Sequence, residues 1–298
     1  MKLNASTLGQ LRAFEAVARR ASFKMAAEEL HVTQAALSHH VRHLEEALQK
    51  PLLNRLHRRI ELTQAGAELR DECARAFHIL SSTIDRLKGQ GADEPLTVSV
   101  APYFSARWLT PRLGSFWARH PGIELRLHHA YQPADFLNEH SDAGISWGSG
   151  HWRNVKAVRV LGGELTPVCS PSCLAAMKRP LKLSDLAGHT LFCEFDEQHW
   201  HAWLALAGVS KPQKLKIVRI DDSHALRRTA LDGHGFALFF NGLIEEDLRS
   251  GQLVRPFKPA LDTGNAYYLT QPAGVVPSPK LAAFTEWLLE EVAARPRA

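Results

Sequence analysis

Apolar residues recur at helical spacing through the N-terminal third of the chain. Leu8, Leu11, Phe14, Val17 and Ala18 share one face of a predicted first helix. A second helix starts after Ser22, a residue suited to capping open backbone N–H groups, and runs through Phe23, Ala26, Ala27 and Leu30. A third follows His31-Val32-Thr33, with Thr33 as its cap, and repeats Leu37, Val41, Leu44 and Leu48. The small Ala26 and Ala27 permit a close crossing of the second and third helices across a short turn, which predicts a helix-turn-helix. Arg55-Leu56-His57-Arg58-Arg59-Ile60-Glu61-Leu62 then reads as a small basic hairpin, the wing, ending at Thr63 as the next cap. The following helix, about residues 64–88, carries Leu69, Cys73, Ala76, Leu80, Ile84 and Leu87, four or three residues apart. That is coiled-coil spacing, and no other partner for the seam is evident in this first domain, so dimerisation is expected.

Past Gly89-Gln90-Gly91-Ala92-Asp93-Glu94-Pro95, which has linker composition, the pattern changes. Strand-like runs at Leu96–Val100, Ile123–His129, Ala143–Trp147, Leu165–Cys169, Thr190–Cys193, Lys216–Ile220, Phe236–Phe240 and Ala266–Leu269 alternate with helical stretches. Such alternation predicts doubly wound α/β sheets, which bind ligands beyond strand carboxyl ends near a topological switch point.

Charge sharpens this division. Residues 1–66 carry 10 Lys and Arg against 6 Asp and Glu, a net +4, whereas the remaining residues carry 26 against 25, a net +1. A small basic module beside a near-neutral larger one suits a nucleic-acid reader attached to something else. The polar start MKLNASTLGQ does not read as a signal peptide, and no apolar run reaches the ~20 residues of a membrane helix, so a cytoplasmic protein without membrane partner is expected. Cys73, Cys169, Cys173 and Cys193 form neither a disulfide framework nor a zinc motif.

Opposite the apolar face of the third helix stand Gln34, Ser38, His39 and Arg42. Gln suits adenine and Arg suits guanine in the major groove, so Gln34, Ser38 and Arg42 are the expected base readers, with Arg55, Arg58 and Arg59 on phosphates. In the second module, Tyr103, Phe104 and Ser105 follow the first strand, and the Ser105 hydroxyl with nearby N–H groups is placed to receive an anionic group, unless it serves only as a helix cap. Trp147, Phe239 and Phe240 sit near strand ends, as pocket neighbours or as core. Gly144-Ile145-Ser146-Trp147-Gly148 matches the nucleophile elbow of hydrolases, but no helical pattern follows it, so no catalytic residue is expected. His128-His129 and His199-Trp200-His201 raise metal sensing without any familiar zinc spacing, and neither metal nor cofactor is expected.

Ser22-Phe23, Ala26-Ala27-Glu28-Glu29-Leu30, Val32-Thr33-Gln34-Ala35-Ala36-Leu37-Ser38, Leu44-Glu45 and Leu62-Thr63-Gln64-Ala65-Gly66 together resemble the LysR-type transcriptional regulators. The resemblance continues through residues 105–113 and Arg119-His120-Pro121 toward the branch containing GcvA and AmpR. It implies an all-α winged helix-turn-helix over 1–63, a dimerising linker helix over 64–88, a hinge over 89–95, and a two-lobed α/β effector domain resembling periplasmic binding proteins over 96–298. It implies operator DNA, an unidentified small-molecule effector, self-association as a dimer or dimer of dimers, and RNA polymerase for an activator. Thr33 joins the DNA-facing set, and Lys24, where Thr is usual, adds a phosphate contact. Gln49 replaces a Gly and Leu53 a Phe, which bears on the wing angle. The resemblance also carries over Asp135, Ser223 and Tyr267 as pocket residues, with Ser146 and Trp147 beside them. An anionic or polar effector head is expected at Ser105, and Asp135 favours an amino group at the other end. Tyr103 stands where a smaller Thr is expected, so that branch's muropeptide ligands are not assumed. A solute-binding protein is the competing reading, opposed by the helix-turn-helix.

Overall fold

The computed structural model describes residues 3–56, 59–87, 94–130, 141–152, 154–175, 182–194, 196–209 and 215–294. The chain divides into two compact units, with one boundary between Thr97 and Val98 and with Ser141 and Asp142 grouped with the first unit.

In the first unit, helices α1 (Ala5–Arg20), α2 (Phe23–Glu29) and α3 (Gln34–Leu48) begin at side-chain caps. Asn4, Ser22 and Thr33 accept from the N–H of Thr7, Met25 and Ala36. Each cap satisfies one otherwise open donor and contributes about 1 kcal/mol. Ala26 and Ala27 are buried, and the absence of longer side chains lets α2 approach α1 and α3 around Phe14, Val17, Leu37, Val41 and Leu44, all nearly inaccessible. Burial of each large residue stabilises by roughly 1.5–3 kcal/mol. Glu15 lies within this packing and bonds Arg12 and Arg19, while Arg19 and Arg20 hold Glu29.

Helix α3 ends at Gln49, which takes the left-handed conformation (φ 53°) usually left to glycine, and its N–H returns to the Glu45 and Glu46 carbonyls. The Glu45 carboxylate accepts from the N–H of Leu52 and Leu53 at 2.8 and 3.1 Å. These bonds tie the recognition helix to strand β1 (Leu53–Leu56), which pairs antiparallel with β2 (Arg59–Leu62) in the register Leu53 to Leu62. The Thr63 hydroxyl caps helix α4 (Gln64–Leu87) by accepting from Gly66 N–H. A Cβ on Gly66 would lie 2.0 Å from the Leu52 carbonyl oxygen, so only glycine allows this approach.

The apolar seam of α4 has two fates. Leu69 packs on the helix-turn-helix core, Cys73 is buried, and the Phe77 ring faces the Arg12 guanidinium at 5.4 Å. Leu80 and Ile84 are 55% and 47% exposed. The expectation that the whole seam lacks a partner in its own domain is therefore corrected. Periodicity marks an apolar stripe, but it does not say which neighbour covers each turn.

In the second unit, strands β3 (Leu96–Val100), β4 (Leu125–His129), β5 (Ala143–Gly148), β6 (Val155–Val168), β7 (Thr190–Cys193), β8 (Lys216–Arg219), β9 (Phe236–Phe240) and β10 (Leu261–Pro272) form one curled sheet, order β4-β3-β5-β10-β6-β9-β7-β8. Strand β5 pairs with β10 at residues 266–270, and β9 pairs with β6 at residues 165–168. The two long strands thus run from a first lobe around β3, β4 and β5 into a second around β7, β8 and β9. Their mutual register breaks between Asp262 and Ala266. At that break a Cβ on Gly163 would stand 1.9 Å from the Asn265 carbonyl oxygen. Glycine here allows the close crossing of the two hinge strands.

Helix α5 (Pro102–Phe104) runs through a π-turn at Ser105–Leu109 and a 3₁₀ turn at Thr110–Arg112 into α6 (Leu113–Arg119). Among the described residues the unit also holds helices α7 (Pro171–Ala175), α8 (Gln198–Leu206), α9 (Ser223–Leu231), α10 (Glu245–Arg249) and α11 (Pro279–Ala293). Ser105 was expected to open a helix. Instead Ala101 precedes the first turn, Pro102 occupies it, and the Ser105 N–H already donates to the Ala101 carbonyl, leaving no open donor there. His199 and His201 lie on helix α8.

Candidate functional site

The first site is the outer face of α3. Gln34, His39 and Arg42 are exposed and Ser38 is half-buried, one turn apart along the stripe Gln34, Ser38, Arg42, while Leu37, Val41 and Leu44 fill the core behind. Arg42 meets Glu46 at 3.4 Å, with both side chains about 60% exposed (62% and 59%). Such a surface pair holds the guanidinium weakly, so it can be exchanged for a base edge. One turn on, His43 Nε2 stands 3.0 Å from His39 Nε2. Thr33 is exposed at the N-cap of α3, and Lys24 is exposed in the first turn of α2. Arg55 and Arg59 lie on the two wing strands, opposite Ile60 and Leu56. Arg58 lies outside the described residues.

The second site is a small cavity of about 10 Å³ within the two-lobed unit, room for about one water-sized group. The first lobe contributes Tyr103; the second contributes Glu194, His199 and Ser223 with a wall of Leu165, Leu238, Phe239 and Phe240. Glu194 follows the carboxyl end of β7, and Ser223 is the first residue of α9, whose cap Asp222 accepts from Ala225 N–H. The Ser223 hydroxyl donates to Glu194 at 2.6 Å. Burial pushes the Glu194 carboxyl above its ordinary range; the Ser223 hydrogen bond opposes this, and the nearby charges of Asp222 and Asp221 reinforce it. The Tyr103 ring meets His224 edge-on at 4.9 Å. Its buried hydroxyl has no hydrogen-bond partner among the described residues, and burial raises its pKa.

The other expected pocket residues form the layer behind. Phe104 packs on Tyr267 at 4.7 Å, Tyr267 on Trp147 at 4.9 Å, and Trp147 on Phe240 of the second lobe at 4.2 Å. Ser105 is buried, and the Ser146 hydroxyl lies 3.3 Å from that of Thr270. After β5 the chain continues without a helix, so the Gly144–Gly148 stretch is not a nucleophile elbow. Asp135 lies outside the described residues.

Sequence reasoning missed two features. Glu194 has no local motif, and only its position after a strand in a doubly wound sheet points to it. The second is a clasp on Asp247, which is 2% exposed. Arg227 donates to it through Nε and Nη2 at 2.8 and 2.5 Å, and Arg107 from the first lobe brings Nη2 to 2.7 Å as an ion pair out of line for a hydrogen bond. Among the described residues no three His, Cys, Asp or Glu side chains form a metal site, and no helix is long and apolar enough to cross a membrane.

A winged helix-turn-helix with an outward polar stripe, in one chain with a two-lobed α/β unit built around a cleft, defines a DNA-binding regulator with a ligand-sensing domain. Comparison with known proteins makes the assignment specific. Residues 8–67 match the bacterial regulatory helix-turn-helix protein model of the lysR family, and residues 89–293 match the LysR substrate binding domain. The chain belongs to the LysR family of transcriptional regulators. It is 35% identical to the glycine cleavage system transcriptional activator of Escherichia coli K12, over 96% of this chain and 94% of that one. It is 36% identical to the transcriptional activator AmpR of Pseudomonas aeruginosa, over 97% of each. The solved effector domain of that AmpR superposes with a TM-score of 0.59 at 32% identity, covering 67% of this chain and 96% of that one. The chain is thus a transcriptional regulator with an effector-binding domain, and not an enzyme.

Proposed function

We propose that residues 1–63 read operator DNA, that 64–88 dimerise the protein, that 89–95 act as a hinge, and that 96–298 sense the effector. Gln34, Ser38 and Arg42 set sequence choice, with Thr33 and His39 at the edge of the same face. Lys24, Arg55, Arg58 and Arg59 contact phosphates. The protein acts in the cytoplasm as a dimer or dimer of dimers and engages RNA polymerase when it activates. The observation that carries the DNA reading is the polar stripe on α3, exposed opposite a buried face and tied through Glu45 to the wing.

The effector enters between the lobes. Tyr103 and Ser223 touch it, while Phe104, Ser105, Ser146, Trp147 and Tyr267 support the cleft from behind, and Asp135 is carried as a further contact. A cavity of about 10 Å³ holds no whole metabolite, so the lobes must part to admit one, and the ligand must bind the two arrangements unequally to switch the protein. Calorimetry or thermal shift of the full chain against a metabolite panel, comparing wild type with Ser223→Ala and Ser105→Ala, tests this. A hit that shifts its dose-response in Ser223→Ala while basal DNA affinity stays unchanged supports the reading. A hit that binds all three proteins equally contradicts it.

A further inference from the structure

We infer that the effector carries a primary ammonium group, and that Glu194 is the residue that receives it; this rests on the cleft being the sensing site. Glu194 is partly buried, lines the cavity, and has one hydrogen bond, from Ser223. Among the described residues no Lys or Arg pairs with it; His199 lines the same cavity, and the charges of Asp222 and Asp221 act on the carboxyl. The two neighbouring arginines of the cleft, Arg107 and Arg227, are both committed to Asp247. The carboxylates of Glu194, Asp221 and Asp222 outnumber the one histidine of the cavity, His199, which opposes a carboxylate or phosphate head and favours a cation.

Size and hydrogen-bond geometry narrow the class. The space beside Glu194 in this closed arrangement matches a compact ammonium head. An ammonium group offers three donors. The Glu194 carboxylate and the Ser223 hydroxyl oxygen provide two acceptors, and the Tyr103 hydroxyl, buried and unpartnered among the described residues, provides a third. Phe239, Phe240, Leu165 and Leu238 offer an apolar wall to the carbon next to the nitrogen. The class is an amine whose nitrogen sits on a compact apolar carbon, without an anionic group on the adjacent carbon.

Matched probes test this on the full chain: n-butylammonium and 2-phenylethylammonium chloride against 1-butanol and sodium butyrate, with sodium chloride as the salt control. Binding is read by thermal shift and calorimetry in wild type, the near-isosteric Glu194→Gln, and Ser223→Ala. The expected result is saturable binding of the ammonium probes alone, weakened tenfold or more in Glu194→Gln and less in Ser223→Ala. Ammonium binding equal in all three proteins, or no ammonium binding, overturns the inference. If butanol or butyrate binds instead and Ser223→Ala weakens it, the ammonium assignment fails while the cleft as sensing site survives. If no binding responds to any cleft substitution, both fail.

Discussion

Arg107 and Arg227 hold the same carboxylate from different lobes, so removing each predicts a different failure. Asp247 on α10 and Arg227 on α9 belong to the second lobe, whereas Arg107 lies in the π-turn of the first. Arg107→Ala leaves Asp247 paired with Arg227, so no carboxylate is stranded. The loss is that of the charge contact to Asp247 together with the long Arg107 Nε bond to the Leu243 carbonyl at 3.4 Å, about 1.5 kcal/mol in all given that the side chain is only 20% exposed and its Nη2 is poorly aligned. Because this contact exists only when the lobes are together, that loss shifts the closed-to-open ratio roughly tenfold toward open. Arg227→Ala removes two aligned bonds within one lobe, costs about 2–4 kcal/mol of that lobe's stability, and leaves the lobe equilibrium where it was. Spin labels on Trp117→Cys and Leu206→Cys, both exposed positions, report the interlobe distance. The four native cysteines are buried, with the thiols of Cys73 and Cys193 pushed up to about 11 and that of Cys169 to about 12, so labelling falls on the introduced sites. The clasp predicts a longer, broader distance distribution in Arg107→Ala and an unchanged one in Arg227→Ala. Equal opening in both variants, or none in Arg107→Ala, would refute it.

Leu80→Asp places a charge on the exposed part of the α4 seam; across two symmetric copies it should cost association about 3–6 kcal/mol, seen by sedimentation as a shift to monomer with unchanged far-UV circular dichroism. Gln49→Gly relieves a left-handed side-chain residue at the end of α3 and should raise stability by about 0.5–1 kcal/mol in urea denaturation; a loss would contradict the strain argument. The hydrogen bond from Arg19, helped by Arg20, holds the Glu29 carboxyl at about 2 rather than its ordinary 4.5, against burial. Its folded pKa being depressed, its stabilisation, about 1–2 kcal/mol once solvent screening of this surface cluster is allowed for, is present above about pH 4.5 and fades as the pH falls toward 2. Glu29→Gln should therefore destabilise at neutral pH and converge with wild type near pH 2; a constant gap would sink the ion-pair account.

Local rules reached far in this chain where a single element carries its own signal. Ser22, Thr33 and Thr63 cap the helices that follow them because a hydroxyl three residues ahead of an open N–H is a local device. Strands β3, β7 and β9 end at the residues where their apolar runs end. The hinge strands were only half legible. The strand-like runs start only at Leu165 and Ala266, whereas β6 starts at Val155 and β10 at Leu261; Gly162-Gly163 and Gly264 lie in those earlier parts, in strands that bend between lobes and press against each other. Pro102 was the overlooked sign that the helix starts before Ser105. Glu194, Arg107 and Asp247 were illegible because their meaning depends on contacts between segments far apart in sequence. The α4 seam was legible as a stripe but not as two stripes, one docked on the core and one left exposed.

The central claim, that the outer face of α3 reads an operator, is tested most directly by selecting binding sites for the full chain from a random duplex pool. The account predicts enrichment of a two-fold symmetric sequence whose half-site bases change in Gln34→Ala and Arg42→Ala, each at a cost of about 1–3 kcal/mol on the wild-type site. Arg59→Ala should keep the same sequence and lower the salt slope by about one. An unenriched pool, or a selected sequence indifferent to Gln34 and Arg42, would contradict it.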